Sequence, residues 1–173
     1  GLFHLKEKNI IAMSSNRAMA LTTFRQVIQI IEDNDWLRIQ VKLNLGKVGR
    51  FGSGTECVEL KNGARYEIVA ATRDGARGKS ADLLFIDELR EISEEAWKAA
   101  KPTTRAKINS QTILTSNAGD AYSTVLNSLK DRSISYPAKS LGWYEYSAPQ
   151  HAKLDDRKAW AMANPALGYT VSE

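Results

Sequence analysis

The sequence has a single cysteine, no long apolar run and little net charge, and the first two scarcities exclude whole classes of protein. Cys57 alone can build neither a disulfide framework nor a cysteine zinc cluster. No apolar stretch approaches the roughly 20 residues that a membrane-spanning helix needs. The first ten residues, GLFHLKEKNI, lack the apolar core and the cleavage site of a signal peptide. We therefore expect a cytoplasmic protein without a membrane partner.

The charge balance permits nucleic acid as a partner without requiring it. The chain carries 24 Lys and Arg residues against 20 Asp and Glu residues, a net charge of +4. Such a mild excess allows contact with phosphate groups but is also common in proteins that bind none. Because 43% of the 173 residues are hydrophobic and 25% are charged, we expect one ordinary globular domain.

The two ends of the sequence suggest a piece of a longer protein. The first residue is Gly1, and the first methionine, Met13, lies inside an apolar run. The last residues, YTVSE, add no closing element. We expect the chain to be an excised fragment.

Apolar runs and helical periodicities alternate along the chain, which predicts an α/β fold. Leu21, Phe24, Ile28 and Ile31 recur at helical spacing, and Asn62-Gly63 predicts a hairpin between two strands. The predicted strands cover residues 9–13, 55–60, 65–71, 83–86, 111–116 and 143–146, and the predicted helices cover residues 17–32, 93–100, 122–132 and 157–164. Strands that alternate with helices favour a mainly parallel sheet flanked by helices, here with one hairpin insertion.

Two adjacent acids follow the most apolar strand. Leu83-Leu84-Phe85-Ile86 predicts a central strand buried on both faces, and Asp87-Glu88 come directly after it. Ligands of open α/β sheets bind at the carboxyl ends of strands. Asp87 is suited to hold Mg²⁺ through water, and Glu88 to polarise a water that attacks a γ-phosphate, which is the pattern called Walker B. The alternative is that both acids cap the next helix or face solvent.

Small polar residues end the following strand. Thr115, Ser116 and Asn117 come after Thr112-Ile113-Leu114, with a helix between this strand and the acidic one. Neighbouring parallel strands would place Ser116 and Asn117 beside Asp87 and Glu88, where a hydroxyl or an amide can sense the γ-phosphate. The alternative is a turn that opens the next helix.

A glycine- and arginine-containing loop precedes the acidic strand. Gly78-Lys79-Ser80 resembles the end of the phosphate-binding loop G-x-x-x-x-G-K-[ST], but Arg73 stands where the first glycine should be. That loop must also open a helix, whereas a strand is predicted from Leu83, so we reject it as a Walker A loop. Arg77 is a candidate arginine finger, with a DNA phosphate contact or a solvated charge as the alternatives.

This order of motifs resembles the ATPase domain of the large terminase subunit of tailed bacteriophages. The resemblance extends from about residue 9 to residue 168. Its most specific parts are the R-x-G-x-R-G loop, the strand SADLLFIDE, the strand TILTSNAG and the late segment WAMANPALG. It implies an additional-strand P-loop NTPase fold and an ATP- and Mg²⁺-dependent motor that drives double-stranded DNA into a procapsid.

The resemblance also assigns roles to single residues. It implies that Asp87 holds Mg²⁺, that Glu88 activates water, and that Thr115, Ser116 and Asn117 form a coupling motif. Arg77 becomes the first candidate for the arginine finger and Arg73 the second. The implied partners are the portal protein, the small terminase subunit and further copies of the chain in a ring on the capsid, all in the host cytoplasm.

The sequence departs from the family pattern in three places. The family's Walker A loop would precede the strand at residue 9, and its nuclease domain would follow Glu173. Leu89-Arg90 follow the acid pair where many relatives carry a small and a polar residue. We expect residues 1–140 to be a partial ATPase core and residues 141–173 to lead towards the nuclease domain.

Without a Walker A loop, the chain by itself is expected to turn over ATP negligibly. Two other functions stay open at this point. A helicase-like translocase of related fold would use the acid pair in the same way, and a non-catalytic DNA-binding or assembly module would use the acids structurally.

Overall fold

The computed structural model describes residues 1–5, 7–52, 54–72 and 75–172. The strands are β1 (Asn9–Ser14), β2 (Cys57–Glu59), β3 (Arg65–Ala70), β4 (Leu83–Asp87) and β5 (Gln111–Leu114). The helices are α1 (Arg17–Glu32), α2 (Asp35–Arg38), α3 (Glu94–Ala100), α4 (Thr124–Ser135) and α5 (Arg157–Ala163). Short 3₁₀ turns cover Leu89–Glu91 and Lys101–Thr104.

Within the described residues the five strands form one sheet in the order β2-β3-β1-β4-β5. β3, β1, β4 and β5 run parallel, and only β2 is antiparallel to its neighbour β3. β2 and β3 form the expected hairpin, whose turn contains Gly63 at φ 84°. The predicted α/β class with a mainly parallel sheet and a hairpin insertion is confirmed.

Helix α1 begins where its capping residue predicts. The Asn16 side chain accepts hydrogen bonds from the backbone N–H groups of Ala18 and Met19, which the first turn of a helix leaves unpaired. Phe24, Ile28 and Ile31 are buried on one face of the helix. The helix therefore packs this apolar face against the sheet, as its spacing predicted.

The sheet is covered on both faces by separate apolar cores. On one face, α1 contributes Phe24 and Ile28 to a core that includes Ile10 of β1. On the other face, Ala96 and Ala100 of α3 pack with Leu84 and Ile86 of β4, among others. Successive side chains of a strand point to opposite faces, so a central strand buried on both faces is apolar at consecutive positions. This explains the unbroken apolar run before Asp87.

Two of the predicted strands differ from the structure. Residues 111–116 were predicted as a buried strand, but β5 ends at Leu114 and its first three residues are exposed because β5 is the edge strand of the described sheet. The strand predicted at residues 143–146 is wrong, since this segment has no regular secondary structure and does not pair into the sheet. An apolar pattern indicates extended backbone but does not determine which position a strand takes in a sheet.

The chain divides into two compact units, Gly1–Leu129 and Lys130–Glu173. The first unit holds the sheet with both cores. In the second unit, Asp156 caps α5 by accepting from the backbone N–H groups of Lys158 and Ala159, and Lys130 pairs with Glu145 at 2.9 Å. Among the described helices, none combines the length and the apolar character that crossing a bilayer requires.

Candidate functional site

The carboxyl ends of three parallel strands meet at one edge of the sheet. Ser14 at the end of β1 lies in register with Asp87 at the end of β4, and Ile86 lies in register with Leu114 of β5. Thr115, the residue after β5, is therefore the neighbour of Asp87. The edge gathers a hydroxyl, a carboxylate and a second hydroxyl from three adjacent strands.

Asp87 is held by neutral hydrogen-bond donors. Its Oδ1 atom accepts from the Thr115 hydroxyl at 2.8 Å and from the backbone N–H of Glu88 at 3.0 Å. No described residue donates a hydrogen bond to Oδ2 or forms an ion pair with the carboxylate. The Asp87 carboxylate is thus oriented by its neighbours, and no described residue neutralises its charge.

Glu88 turns the backbone sharply at the end of β4. It has φ 57° and ψ 53°, a left-handed conformation that costs about 1–2 kcal/mol for a residue with a Cβ atom. Its side chain is 17% exposed and forms an ion pair with Arg90, whose Nε lies 2.7 Å from Oε1. Oε1 is buried and makes no hydrogen bond of good geometry, so this contact is mainly electrostatic.

Residues 115–118 lie against the acid pair. The Asn117 amide approaches Glu88 Oε2 at 3.5 Å, the limit of a hydrogen bond. Ser116 Oγ accepts from the backbone N–H of Arg90 at 3.0 Å, and Thr115 O accepts from Leu89 N at 2.9 Å. The structure therefore brings Thr115 to Asp87 and Asn117 to Glu88, whereas Ser116 contacts the backbone that follows the acids.

The loop with Arg77 lies at the end of β3, on the far side of β1 from the acid pair. Two strand spacings, roughly 10 Å, separate the ends of β3 and β4. Arg77 is exposed and lines a cavity of about 450 Å³ together with Arg17, Glu56 and Lys79. Asp87 and Glu88 are not among the residues that line this cavity. Arg73 lies outside the described residues.

The Gly78-Lys79-Ser80 segment does not form a phosphate-binding loop. The chain continues from Ser80 into β4, and no helix opens there. The Lys79 ammonium is paired with Glu67 at 2.8 Å. Just before this segment, Gly75 packs closely against the end of β3. A side chain at this position would clash, because a Cβ atom on Gly75 would lie 2.2 Å from the carbonyl oxygen of Ala70.

Comparison with known proteins decides the family. Residues 3–152 match the model of the family described as terminase large subunit, T4likevirus-type, N-terminal. The chain belongs to this family. The large terminase subunit of Enterobacteria phage HK97 is 22% identical over 172 residues, covering 98% of this chain and 33% of that protein. The resemblance inferred from the sequence motifs is confirmed.

The fold agrees with that of a solved terminase. The crystal structure of the HK97 bacteriophage large terminase matches with a TM-score of 0.80 at 22% identity, covering 96% of this chain and 34% of that one. The terminase chain described here therefore spans about a third of the length of these relatives. At this identity the match shows a shared fold.

Two residues of this terminase site were missed by sequence reasoning. Arg90 was recognised only as a departure from the family, yet it contacts Glu88 and, through Nη1, the carbonyl oxygen of Ala118 at 3.4 Å. Ser14 was not predicted to take part in the site, and in the structure Asn16 rather than Ser14 caps α1. In the sequence, Ser14 is recognisable only as a hydroxyl at the end of an apolar strand. Its place beside Asp87 follows from the pairing of β1 with β4, which the sequence does not show.

The ligand set at the sheet edge suits a hydrated cation. No group of three or more His, Cys, Asp or Glu residues able to hold a metal occurs in the described parts of the chain. One carboxylate beside two hydroxyls matches Mg²⁺, which keeps several waters and is commonly held by one or two carboxylates and by the substrate's phosphates. Asp87 and Glu88 line neither the cavity next to Arg90 and Ser123 nor the cavity next to Arg77, and both lie half-buried at the rim of the sheet.

Proposed function

We propose that the chain is the Walker B portion of the ATP-driven DNA-packaging motor of a large terminase subunit. Its complete protein would hydrolyse ATP with Mg²⁺ and translocate double-stranded DNA into a procapsid. The observation that carries the proposal is the arrangement of Asp87 and Glu88 at the end of a central strand, in contact with Thr115 and Asn117 just after the neighbouring strand β5. Membership of the terminase family supports the DNA-packaging role.

Each polar group at the sheet edge has a separate task in this proposal. Asp87 would hold Mg²⁺ through its Oδ2 atom and bound water, while Thr115 keeps its other oxygen in place. The cation would supply charge neutralisation for the phosphates of ATP. Glu88 would accept the proton of the attacking water. Asn117 would transmit the position of Glu88 to the segment after β5 and so act, with Thr115 and Ser116, as the coupling motif.

Arg77 would act on a neighbouring copy of the chain. Its loop follows β3, which β1 separates from β4 in the sheet, and Arg77 lines a cavity that neither Asp87 nor Glu88 lines. An arginine that stabilises the transition state across a subunit boundary requires a second subunit. The proposal therefore includes a homo-oligomeric ring, which would assemble with the portal protein and the small terminase subunit in the host cytoplasm. Arg73 remains a candidate for the same role.

One observation favours a second function, a non-catalytic assembly module. Arg90 lies against the Glu88 carboxylate, and an ion pair there restrains the proton acceptor. In a motor this contact would have to loosen during the catalytic cycle, whereas in a structural module it would persist. A helicase-like translocase would use the same acids, and family membership does not favour it.

The test is Glu88→Gln in the complete protein. The change keeps the shape of the side chain but removes the proton acceptor, so we expect steady-state ATP hydrolysis to fall by roughly 10²- to 10⁴-fold with nucleotide affinity retained. Glu95→Gln, which alters an exposed acid on α3, is the matched control and should leave turnover unchanged. Normal hydrolysis by the Glu88 variant would favour the non-catalytic module.

A further inference from the structure

Ser14 carries a buried hydroxyl for which no described residue provides a hydrogen bond. The residue is 5% exposed, and its Oγ is among the few buried polar side-chain atoms of the described chain that have no partner. Buried hydroxyls in native proteins nearly always have one, and an exception calls for an explanation such as a bound water or ion. Because burying a hydroxyl without a hydrogen bond costs free energy, we expect a ligand or a bound water to supply the missing partner.

Helix capping does not explain the Ser14 hydroxyl. The N-terminus of α1 is capped by Asn16, whose side chain takes two of the free N–H groups. Ser14 takes part in the sheet through its backbone, since its carbonyl oxygen accepts from Ala71 N at 3.0 Å. The nearest basic residue on α1, Arg17, is itself paired with Glu56. The hydroxyl has no structural task in the described chain.

The sheet register places Ser14 beside Asp87. In β1, Ile11 and Met13 belong to the core on the α3 face, so Ser14, one residue on, points to the α1 face. In β4, Ile86 belongs to that same α3-side core, so Asp87 also points to the α1 face. The two residues are register partners on adjacent strands, about 5 Å apart.

Asp87 therefore lies between two hydroxyls that differ in their bonding. On the β5 side, Thr115 donates to Oδ1. On the β1 side, the Ser14 hydroxyl makes no direct hydrogen bond to the carboxylate, and across the strand spacing of about 5 Å a single water molecule can bridge the two side chains. A hydrated cation at Asp87 would present water molecules in this position, and residues that hold metal-bound water contribute strongly to metal affinity.

We propose that Ser14 is a further member of the magnesium site, whose hydroxyl holds a water of the cation bound by Asp87. This inference rests on the proposed function, because it requires Asp87 to bind Mg²⁺. Ser14 acts as a positioning residue: it orients the hydrated cation relative to the Asp87 carboxylate.

The test measures cation binding directly, with Mn²⁺ as a paramagnetic probe and a non-hydrolysable ATP analogue in the complete protein. Titration monitored by electron paramagnetic resonance gives the Mn²⁺ affinity. We expect Ser14→Ala to weaken this affinity by about 10-fold. Ser14→Thr keeps the hydroxyl and should retain most of the affinity. Without a cation, the unfolding temperature of Ser14→Ala should equal or slightly exceed that of the original protein, because the lost hydroxyl had no partner.

Two results would overturn the inference. Ser14→Ala could bind Mn²⁺ as tightly as the original protein, or it could lose stability in the absence of any cation, which would make the hydroxyl structural. Ser14→Cys, with a side chain of similar size and a poor hydrogen-bonding group, carries the same test if the alanine variant does not fold.

Asp87→Asn separates this inference from the proposed function. If Asp87→Asn abolishes Mn²⁺ binding while Ser14→Ala has no effect, only the role of Ser14 is wrong. If neither variant changes Mn²⁺ affinity, the magnesium site itself is wrong, and the role of Ser14 falls with it. Weakened binding in both variants, with Asp87→Asn the more severe, is the expected result.

Discussion

Two charged regions lie along the same edge of the sheet and differ in how their acids are satisfied. At the end of β3 and around its cavity, Glu56 pairs with Arg17, and Glu67 pairs with Lys79. At the end of β4, Asp87 accepts only from a hydroxyl and a backbone N–H. The first region neutralises its acids with basic side chains, whereas no described residue forms an ion pair with the Asp87 carboxylate. Under the proposed function, this difference separates structural acids from the acid that would hold the cation.

Glu88 is intermediate between these two regions. Like Glu56 it has an arginine partner, and the two arginines are exposed to a similar degree, Arg90 at 40% and Arg17 at 49%. The carboxylates differ more, since the side chain of Glu88 is 17% exposed and that of Glu56 only 3%. An ion pair that solvent reaches contributes little, about 0–1 kcal/mol, so we expect the pair of the more exposed Glu88 to be the weaker of the two.

The largest effect is expected from Arg77→Ala. If Arg77 is an arginine finger, its loss should lower ATP turnover of the complete protein by about 10³-fold or more. Arg38→Ala, which removes an exposed arginine at the end of α2, is the matched control. Mixtures of Arg77→Ala and original subunits would then show whether the residue acts across subunits.

A different outcome for Arg77→Ala would assign the residue to DNA. If turnover stays normal while DNA affinity falls, Arg77 contacts backbone phosphate. The cavity at the end of β3 would then be part of the DNA surface, and the two regions would serve different ligands.

The second-largest effect is expected in the free energy of unfolding, in which Glu56→Gln and Asp87→Asn should differ. Glu56 is 3% exposed, and Glu56→Gln leaves the Arg17 guanidinium without its anion, so we expect a loss of about 1–3 kcal/mol in the free energy of unfolding. Asp87→Asn should change stability much less, because it breaks no ion pair. Urea unfolding of both variants measures the difference, and equal losses would contradict the distinction between the two regions.

The same acid predicts a pH dependence of stability. Burial raises the pKa of Glu56, but hydrogen bonds from backbone N–H groups and from Arg17, together with the charge of Arg17, outweigh it and hold the pKa below the ordinary 4.5. The contribution of a carboxyl with a lowered pKa is complete above the ordinary value and is lost as the pH falls through the folded-state pKa. In Glu56→Gln, the free energy of unfolding should therefore fall less steeply than in the original protein as the pH decreases below about 4.5.

The smallest effect is expected from Arg90→Gln. Removing the guanidinium frees Glu88 to accept a proton, so single-turnover ATP hydrolysis in the complete protein should rise by up to about fivefold, the equivalent of about 1 kcal/mol. Arg90→Lys keeps the charge and should change the rate less. A large fall in rate for Arg90→Gln would instead mean that Arg90 holds Glu88 in its working position.

The sequence predicted those parts of the fold that depend on local patterns. Helix α1 was predicted with its observed bounds because the spacing of Phe24, Ile28 and Ile31 is a local signal. The hairpin followed from Asn62-Gly63, since glycine adopts the positive φ of that turn readily. The acid pair was found because an apolar run ended directly in two acids.

The rest of the site depends on contacts between strands, which local patterns do not record. The exposure of β5 follows from its place at the edge of the sheet, and the position of Ser14 beside Asp87 follows from the strand order. The contact of Arg90 with Glu88 requires the left-handed turn at Glu88, a conformation that residues other than glycine seldom adopt. These features became visible only in three dimensions.

The exposed edge strand β5 has a consequence for work with the 173-residue chain by itself. Ile113 is 38% exposed on a strand at the end of the sheet order, and such a strand offers its backbone amide and carbonyl groups to any other extended chain. We expect purified samples to self-associate edge to edge as the concentration rises. Placing a lysine at position 113 should keep the chain monomeric in light scattering, because a charge at the rim opposes the addition of another strand.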